Sequence, residues 1–367
     1  MKIPFLDMRS KVAKERDAFH AALDRVLDSG VFILGPEVTA FEKELAVDLR
    51  VEAANVVSCN SGTDALVLAL RAFGVGDGDE VVVPAHTAVP TVTAIRSVGA
   101  LPRFADVNAD TWVLDPADAL AQVNKKTKAV IAVHLYGNSV DLEALAPVRD
   151  LLMEDVAQAQ GGFYGNAPLG TWGRAGAYSF YPTKNLGALG DGGAMVFRDP
   201  NDAARARALR FYGQSSRYVA ELDHGINSRL DEVQAAFLRV RLSLVREELA
   251  AKQTVREWYE RALAGLPLRL QAVTPGSTPA WHLLVASFES EGLREKARIG
   301  LEGAGIGCLI HYPTPNHLQA AFREFKTRSL PVTENLSRRI LSLPFHPGFS
   351  LEQVGRVAET LRAALGR

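Results

Sequence analysis

"NVVSCNSGTDALVLALRAFGVGDGDEVVVPAHTAVPTVTAIRSVGALPRFADV", residues 55–107, alternates short β-branched runs with longer stretches in which apolar residues recur at helical spacing. Leu66, Leu70 and Phe73, for example, share one face of the helix that follows "CNSGT". Strands that alternate with helices predict parallel neighbours joined by crossovers, and strand runs apolar on both faces predict a sheet covered on both sides. The fold class is α/β with a largely parallel sheet.

Working outward, residues 11–29 and 36–49 read as a helical lead-in, interrupted by "SGVFILGPE", whose glycines and proline break the period. Further strands are expected at 128–133, 151–153, 176–180 and 193–197. At 228 a long amphipathic stretch begins, with Leu230, Val233, Phe237 and Val240 on one side. Ser228 and Asp231, three residues apart, predict a capping-box start there. A strand near 281–288, a helix near 291–304 and a last helix near 350–365 make a smaller α+β portion. The boundary is placed at about 245: a large α/β domain over 1–245 and a small C-terminal domain over 246–367.

Composition narrows the function classes. The chain has 367 residues, 47% hydrophobic and 23% charged, with a formal net charge of −1. That balance lacks the positive field on which nucleic-acid binders depend. Cys59 and Cys308 lie far apart, with neither metal-ligand spacing nor a disulfide framework, as expected in a reducing compartment. "MKIPFLDMRS" carries Pro4 and Asp7 where a secretory signal needs an apolar core, and no run is long enough to span a bilayer. A cytoplasmic enzyme is the expectation, with no membrane or metal partner.

Three motifs carry chemistry. "CNSGTDALVLAL" runs from a strand end through Gly62 and Thr63 into a helix, and is either an ordinary glycine turn or an anion seat of free N–H groups. "LLMEDVAQAQ" delivers Glu154 and Asp155 at a strand end on opposite faces: a solvated acid pair, or one carboxylate aimed into the crevice at the sheet's carboxyl edge. "SFYPTKNLGALGDGGAM" frames Lys184 with Gly187, Gly190, Gly192 and Gly193. It is either a mobile surface loop, or a nucleophilic amine on a turn that lets backbone approach a flat ligand. Together they would grip the phosphate, ring nitrogen and aldehyde of pyridoxal 5'-phosphate.

These stretches, with "FILGPEVTAFEKELA", "VHLYG", "NSRLDEVQAAFLRVRL" and "IHYPTPNHLQ", resemble the DegT/DnrJ/EryC1/StrS sugar aminotransferases over nearly the whole chain. The resemblance implies an aspartate-aminotransferase-like large domain (fold type I) and pyridoxal 5'-phosphate as cofactor. It implies that Lys184 holds the cofactor through its amine and moves a proton between cofactor and substrate carbons. Asp155 would pair with the ring nitrogen while Glu154 faces away, and Gln158 would reach the ring's phenolic oxygen. Gly62, Thr63 and Ser179 would bind the phosphate, with Asn227 reaching the other subunit's site in a homodimer. His86 falls where a flat side chain would stack on the ring, and His134 is read as structural. Val156 and Gln160 depart from the usual residues without touching an assigned role.

By the same resemblance the donor is L-glutamate, leaving as 2-oxoglutarate. The acceptor is a nucleotide-linked keto sugar, most similar in pattern to a dTDP-3-keto-6-deoxyhexose, with UDP-linked or 4-keto sugars as alternatives. Tyr181, Arg229, His311 and Tyr312 are the substrate-contact candidates; for His311 and Tyr312 a packed strand end is the competing reading. Lys184 disfavours both a non-catalytic sensor and the dehydratases that carry histidine there. "GDGGA" lacks the spacing of a dinucleotide site.

Overall fold

The apolar strand runs pair as their two-faced character requires. The computed structural model describes residues 2–367. In it β1 (Val56–Cys59), β2 (Glu80–Pro84), β3 (Leu101–Ala105), β4 (Thr127–Val133), β5 (Leu152–Asp155), β6 (Ala175–Ser179) and β7 (Gly193–Phe197) form one sheet. Its order is β1-β7-β6-β5-β4-β2-β3. β7 is antiparallel to both neighbours, and every other adjacent pair is parallel. All residues of β1, β5 and β7 are buried, so the sheet is covered on both faces.

The lead-in helices are α1 (Met8–Ser29) and α2 (Pro36–Leu49). α1 begins three residues before the expected start because Asp7 accepts the Ser10 N–H at 3.0 Å, and it ends at Gly30 with φ 62°. Crossovers in and around the sheet use α3 (Gly62–Ala72), α4 (Val89–Ser97), α5 (Pro116–Gln122) and α6 (Pro200–Leu209). The expected amphipathic stretch divides into α7 (Glu232–Leu242) and α8 (Val245–Ala262).

The capping box at Ser228 does not form. α7 starts only at Glu232, and the Ser228 hydroxyl instead donates to Asp64 at 2.7 Å and accepts the Asn60 N–H at 3.2 Å. Glu232, fully buried, caps a different helix: its carboxylate accepts the Gly35, Glu37 and Val38 N–H groups at 2.8 to 2.9 Å, the start of α2.

The C-terminal part has its own antiparallel sheet, β8 (Leu268–Leu270), β9 (Leu284–Phe288) and β10 (Ile340–Leu343), in that order. α9 (Glu291–Gly303), α10 (Pro331–Arg339) and α11 (Leu351–Leu365) complete it. Its core joins Val255 and Tyr259 of α8 to Leu284, Leu301, Leu341 and Leu361, and takes in Ile3 from the other end of the chain. β9 starts three residues later than expected because 280–283 bind elsewhere: the Ala280 and His282 N–H groups donate to Gly137 and Tyr136 carbonyls, both at 2.8 Å. That seam joins the two parts beside the carboxyl ends of β4 and β5.

Candidate active site

A cavity of about 250 Å³ opens at the carboxyl ends of the parallel strands, where crossover folds of this type hold ligands. Gly62, Thr63, Asp155, Gln158, Ser179 and Lys184 all line it. The sequence-predicted cofactor group is thus brought together from segments more than 120 residues apart, except for Asn227 and His86.

One end is the start of α3. Ser61 caps it by accepting the Asp64 N–H at 3.1 Å, and the Ala65 N–H goes to the Ser61 carbonyl. The first two N–H groups, of Gly62 and Thr63, have no intrahelical partner by position, so they face the cavity with the positive end of the helix dipole. Ser179 ends β6 beside them. A Cβ on Gly62 would stand 2.5 Å from the Ser179 Cβ, so glycine is required there by proximity, not by a left-handed φ. This is a fitting seat for a phosphate.

The other end holds Asp155, 4% exposed. Its carboxylate accepts from Thr91 Oγ1 at 2.8 Å and from the Ala157 N–H at 3.1 Å. Burial nevertheless pushes its pKa up, against those hydrogen bonds and the charge of Lys184. A carboxylate so underprovided calls for a cation, and a protonated ring nitrogen satisfies it. Glu154 points the opposite way, as strand alternation requires, and is fully used: the Gly170, Trp172 and Gly173 N–H groups each donate to it at 2.8 Å. His134 accepts the Val140 N–H at Nδ1, so its Nε2 carries the proton shared with Glu154 at 3.0 Å.

Lys184 stands on the turn after β6, half-buried, its N–H bonded to the Tyr181 carbonyl at 2.8 Å. Burial lowers its pKa to about 8, although Asp155 pulls the other way. A neutral amine is therefore accessible near neutral pH, as carbonyl attack needs. Phosphate seat, cation-seeking acid and poised amine occupy one cavity, and they match the three polar handles of pyridoxal 5'-phosphate.

The model of the DegT/DnrJ/EryC1/StrS aminotransferase family matches residues 13–362. The chain belongs to that family. It is 43% identical over 370 residues to the erythromycin biosynthesis sensory transduction protein EryC1 of Saccharopolyspora erythraea, covering 99% of this chain and 100% of that protein. It is 41% identical to the dTDP-3-amino-3,4,6-trideoxy-alpha-D-glucose transaminase of Streptomyces venezuelae, over 98% of this chain and 96% of the relative. The crystal structure of S. venezuelae DesV in complex with a ketimine intermediate matches with a TM-score of 0.94 at 40% identity, covering 100% and 99% of the two chains. The protein is a pyridoxal-phosphate-dependent aminotransferase of fold type I.

One cofactor expectation within this aminotransferase is overturned. His86 is 1% exposed, lies outside the cavity lining, and spends Nε2 on the Tyr136 hydroxyl at 2.7 Å. Burial lowers its pKa to about 4. The strand-end turn carries Thr87 and Ala88 to the cavity instead, so no imidazole stacks there.

The substrate candidates divide. Tyr181 lines the cavity and is 53% exposed. Tyr312 stands behind the wall: its hydroxyl accepts from Gln158 Nε2 at 3.0 Å, and burial pushes its pKa up to about 12. His311 shares a hydrogen bond of 2.8 Å between Nδ1 and Ser342 Oγ, and burial beside the Lys184 charge lowers its pKa to about 4. Arg229 lies over Phe211 and Tyr212, and Asn227 is exposed; neither lines the cavity.

Sequence reasoning passed over Thr91, which orients Asp155, and Tyr136, which joins the walls. Tyr136 donates its N–H to Gln158 Oε1 at 2.7 Å and its hydroxyl to the His311 carbonyl, from a backbone φ of 63°. The Tyr-Gly pair of "VHLYG" was the available signal, since positive φ at tyrosine needs tertiary support.

Proposed function

We propose that the protein transfers the amino group of L-glutamate to C3 of a nucleotide-linked keto sugar, a dTDP-3-keto-6-deoxyhexose in the first instance. The observation that carries this reading is the poised Lys184 amine, set in one cavity with Asp155 and the free N–H groups of α3. The transaminase name of the S. venezuelae relative supports the sugar and the carbon. The division at residue 245 and a cytoplasmic setting belong to the same reading. The latter is supported by two free, buried cysteines and by the lack, among the described residues, of a helix long and apolar enough to cross a membrane.

Pyridoxal 5'-phosphate, when bound, supplies an electron sink for the pair left when a substrate carbon loses its proton. The chain's own groups do the rest. Gly62, Thr63 and Ser179 hold the phosphate, and Asp155, oriented by Thr91, keeps a proton on the ring nitrogen. Gln158, fixed at its far atom by the Tyr136 N–H, offers its amide to the ring's oxygen. Lys184 would accept the substrate carbon's proton at Nζ and return it to the other carbon. Binding would give the buried Asp155 carboxylate the cationic partner it lacks, so cofactor and protein would stabilise each other.

The sugar site requires a second copy of the chain. Phe32, Ile33, Leu189 and Tyr212 are exposed apolar side chains on segments that touch one another: the Phe32 carbonyl accepts the Glu232 N–H, Gln234 Oε1 accepts the Leu189 N–H, and Arg229 covers Tyr212. A patch of this kind marks an interface. In a homodimer it would bring Asn227 and Arg229 toward the neighbouring cavity, where an amide and a guanidinium suit phosphate and pyrophosphate oxygens.

The regulatory name of the S. erythraea relative raises a sensor as second reading. Incubation with L-glutamate separates the two: a transaminase bleaches the visible band and releases 2-oxoglutarate, whereas a sensor does neither. A panel of dTDP- and UDP-linked 3-keto and 4-keto sugars then fixes the acceptor. Amination only of 4-keto sugars would overturn the assignment to C3.

A further inference from the structure

Beside the turn that carries Lys184 lies another amine, and this one is buried. Lys252 of α8 is 7% exposed, and among the described residues it has no ion pair. Glu248, one turn earlier on the same helix, is occupied by Lys11 at 2.9 Å. The Lys252 amine faces the Phe345 ring at 5.9 Å and has one hydrogen bond, to Asn185 Oδ1 at 2.8 Å. Burial, reinforced by Lys11 against Glu248, brings its pKa down to about 7. An unpaired amine in such a place is costly, and a packed apolar side chain would remove the cost.

What the amine provides is a donor for Asn185, the residue next to Lys184. Asn185 is 4% exposed, and its amide nitrogen donates to the Ala280 carbonyl at 2.7 Å. Ala280 belongs to the seam that reaches Tyr136 and so Gln158 on the opposite wall. The two ends of one amide thus tie the Lys184 turn to α8 on one side and to the seam on the other. Without Lys252 the buried Asn185 oxygen loses the donor the structure gives it, and the amide is held from one end only.

We propose that Lys252 is a positioning residue: it fixes Asn185, and through it the turn that aims Lys184 into the cavity. This rests on the reading of Lys184 as the cofactor-holding amine, yet its test does not need cofactor. In the cofactor-free protein, acylation of Lys184 by acetic anhydride, followed across pH by peptide mass spectrometry, reports that amine's pKa directly. In Lys252→Met a looser, wetter turn should move the midpoint up from about 8 by about one unit, a tenfold loss of neutral amine at neutral pH. Turnover of the loaded enzyme should fall about tenfold, with KM for both substrates changed less than about threefold. Asn185→Ala should shift the midpoint similarly with Lys252 in place, and the double variant should add nothing. An unchanged midpoint in folded Lys252→Met, or additive shifts in the double variant, would overturn the proposal. Failure of the wild-type protein to take up cofactor would count against the transaminase reading and leave this measurement standing.

Discussion

Gly62→Ala probes the phosphate seat by geometry alone. The new Cβ would meet the Ser179 Cβ at 2.5 Å and its Cα and Oγ at 3.0 Å, where ordinary carbon contacts lie near 3.5 to 4.0 Å. The start of α3 and the end of β6 must therefore separate by about 1 Å, an overpacking that costs about 1–3 kcal/mol. Fold stability partly recovers this, because alanine at a compatible helical position gains about 0.4–1 kcal/mol through the unfolded chain. Cofactor binding recovers nothing: a 1 Å separation stretches one phosphate hydrogen bond beyond useful length, and bonds to a charged group are worth about 1.5–3 kcal/mol. Titration of the cofactor-free variant, followed by the visible band, should show affinity weakened about 10- to 100-fold, while the unfolding midpoint moves by only a few degrees. Wild-type affinity in the folded variant would refute the placement of the phosphate between Gly62 and Ser179.

Three further outcomes follow from the buried charges. Because Lys184 attacks only as the neutral amine, with a pKa of about 8, the rate of cofactor capture should rise with pH to about 8 and then level, and Lys184→Ala should leave no adduct that borohydride can fix; stopped-flow absorbance reads the first and mass spectrometry the second. The folded-state pKa of Asp155 lies above its unfolded value of 3.8, so its contribution to stability is present at low pH and lost as pH rises through the folded pKa. Asp155→Asn should thus melt higher than wild type in cofactor-free form at neutral pH, yet turn over at least about 100-fold more slowly when loaded. Lys252 shifts the opposite way, from 10.5 to about 7: its burden is full below pH 7 and relieved toward 10.5. The melting difference between Lys252→Met and wild type should therefore change between pH 7 and 10.5 in favour of wild type, and scanning calorimetry across that range would show a flat difference if the amine were already paired.

The parallel strands and crossover helices of residues 55–107 were legible because their signals are local: β-branched runs, helical period and glycine breaks act within a few residues. Gly62, Asp155 and Lys184 were legible for the same reason, each sitting in a short stretch with its own chemical logic. His86 was misread because a histidine after a strand carries no mark of which side of the turn it takes; the Tyr136 hydroxyl, 50 residues away, draws it behind the wall. Ser228 failed as a cap because Asp64, 164 residues distant, competes for its hydroxyl, and Glu232 caps α2 across a similar separation. Asn185 and Lys252 gave no signal, since an asparagine in a glycine-rich turn and a lysine in a charged helix are both ordinary on a surface.

Burial moves Asp155 and Lys184 in opposite directions on the pKa scale, and both moves are toward neutrality. Two groups that simply attracted one another would move apart, the acid downward and the amine upward, as the Arg–Glu pairs of the surface do. For Asp155 and Lys184 burial outweighs their mutual attraction. A ligand that brings a cation to Asp155, an anion to the α3 start and a carbonyl to Lys184 answers all three needs at once. The binding energy is thereby drawn from costs already present in the fold, and loss of any one handle should weaken cofactor retention without unfolding the protein.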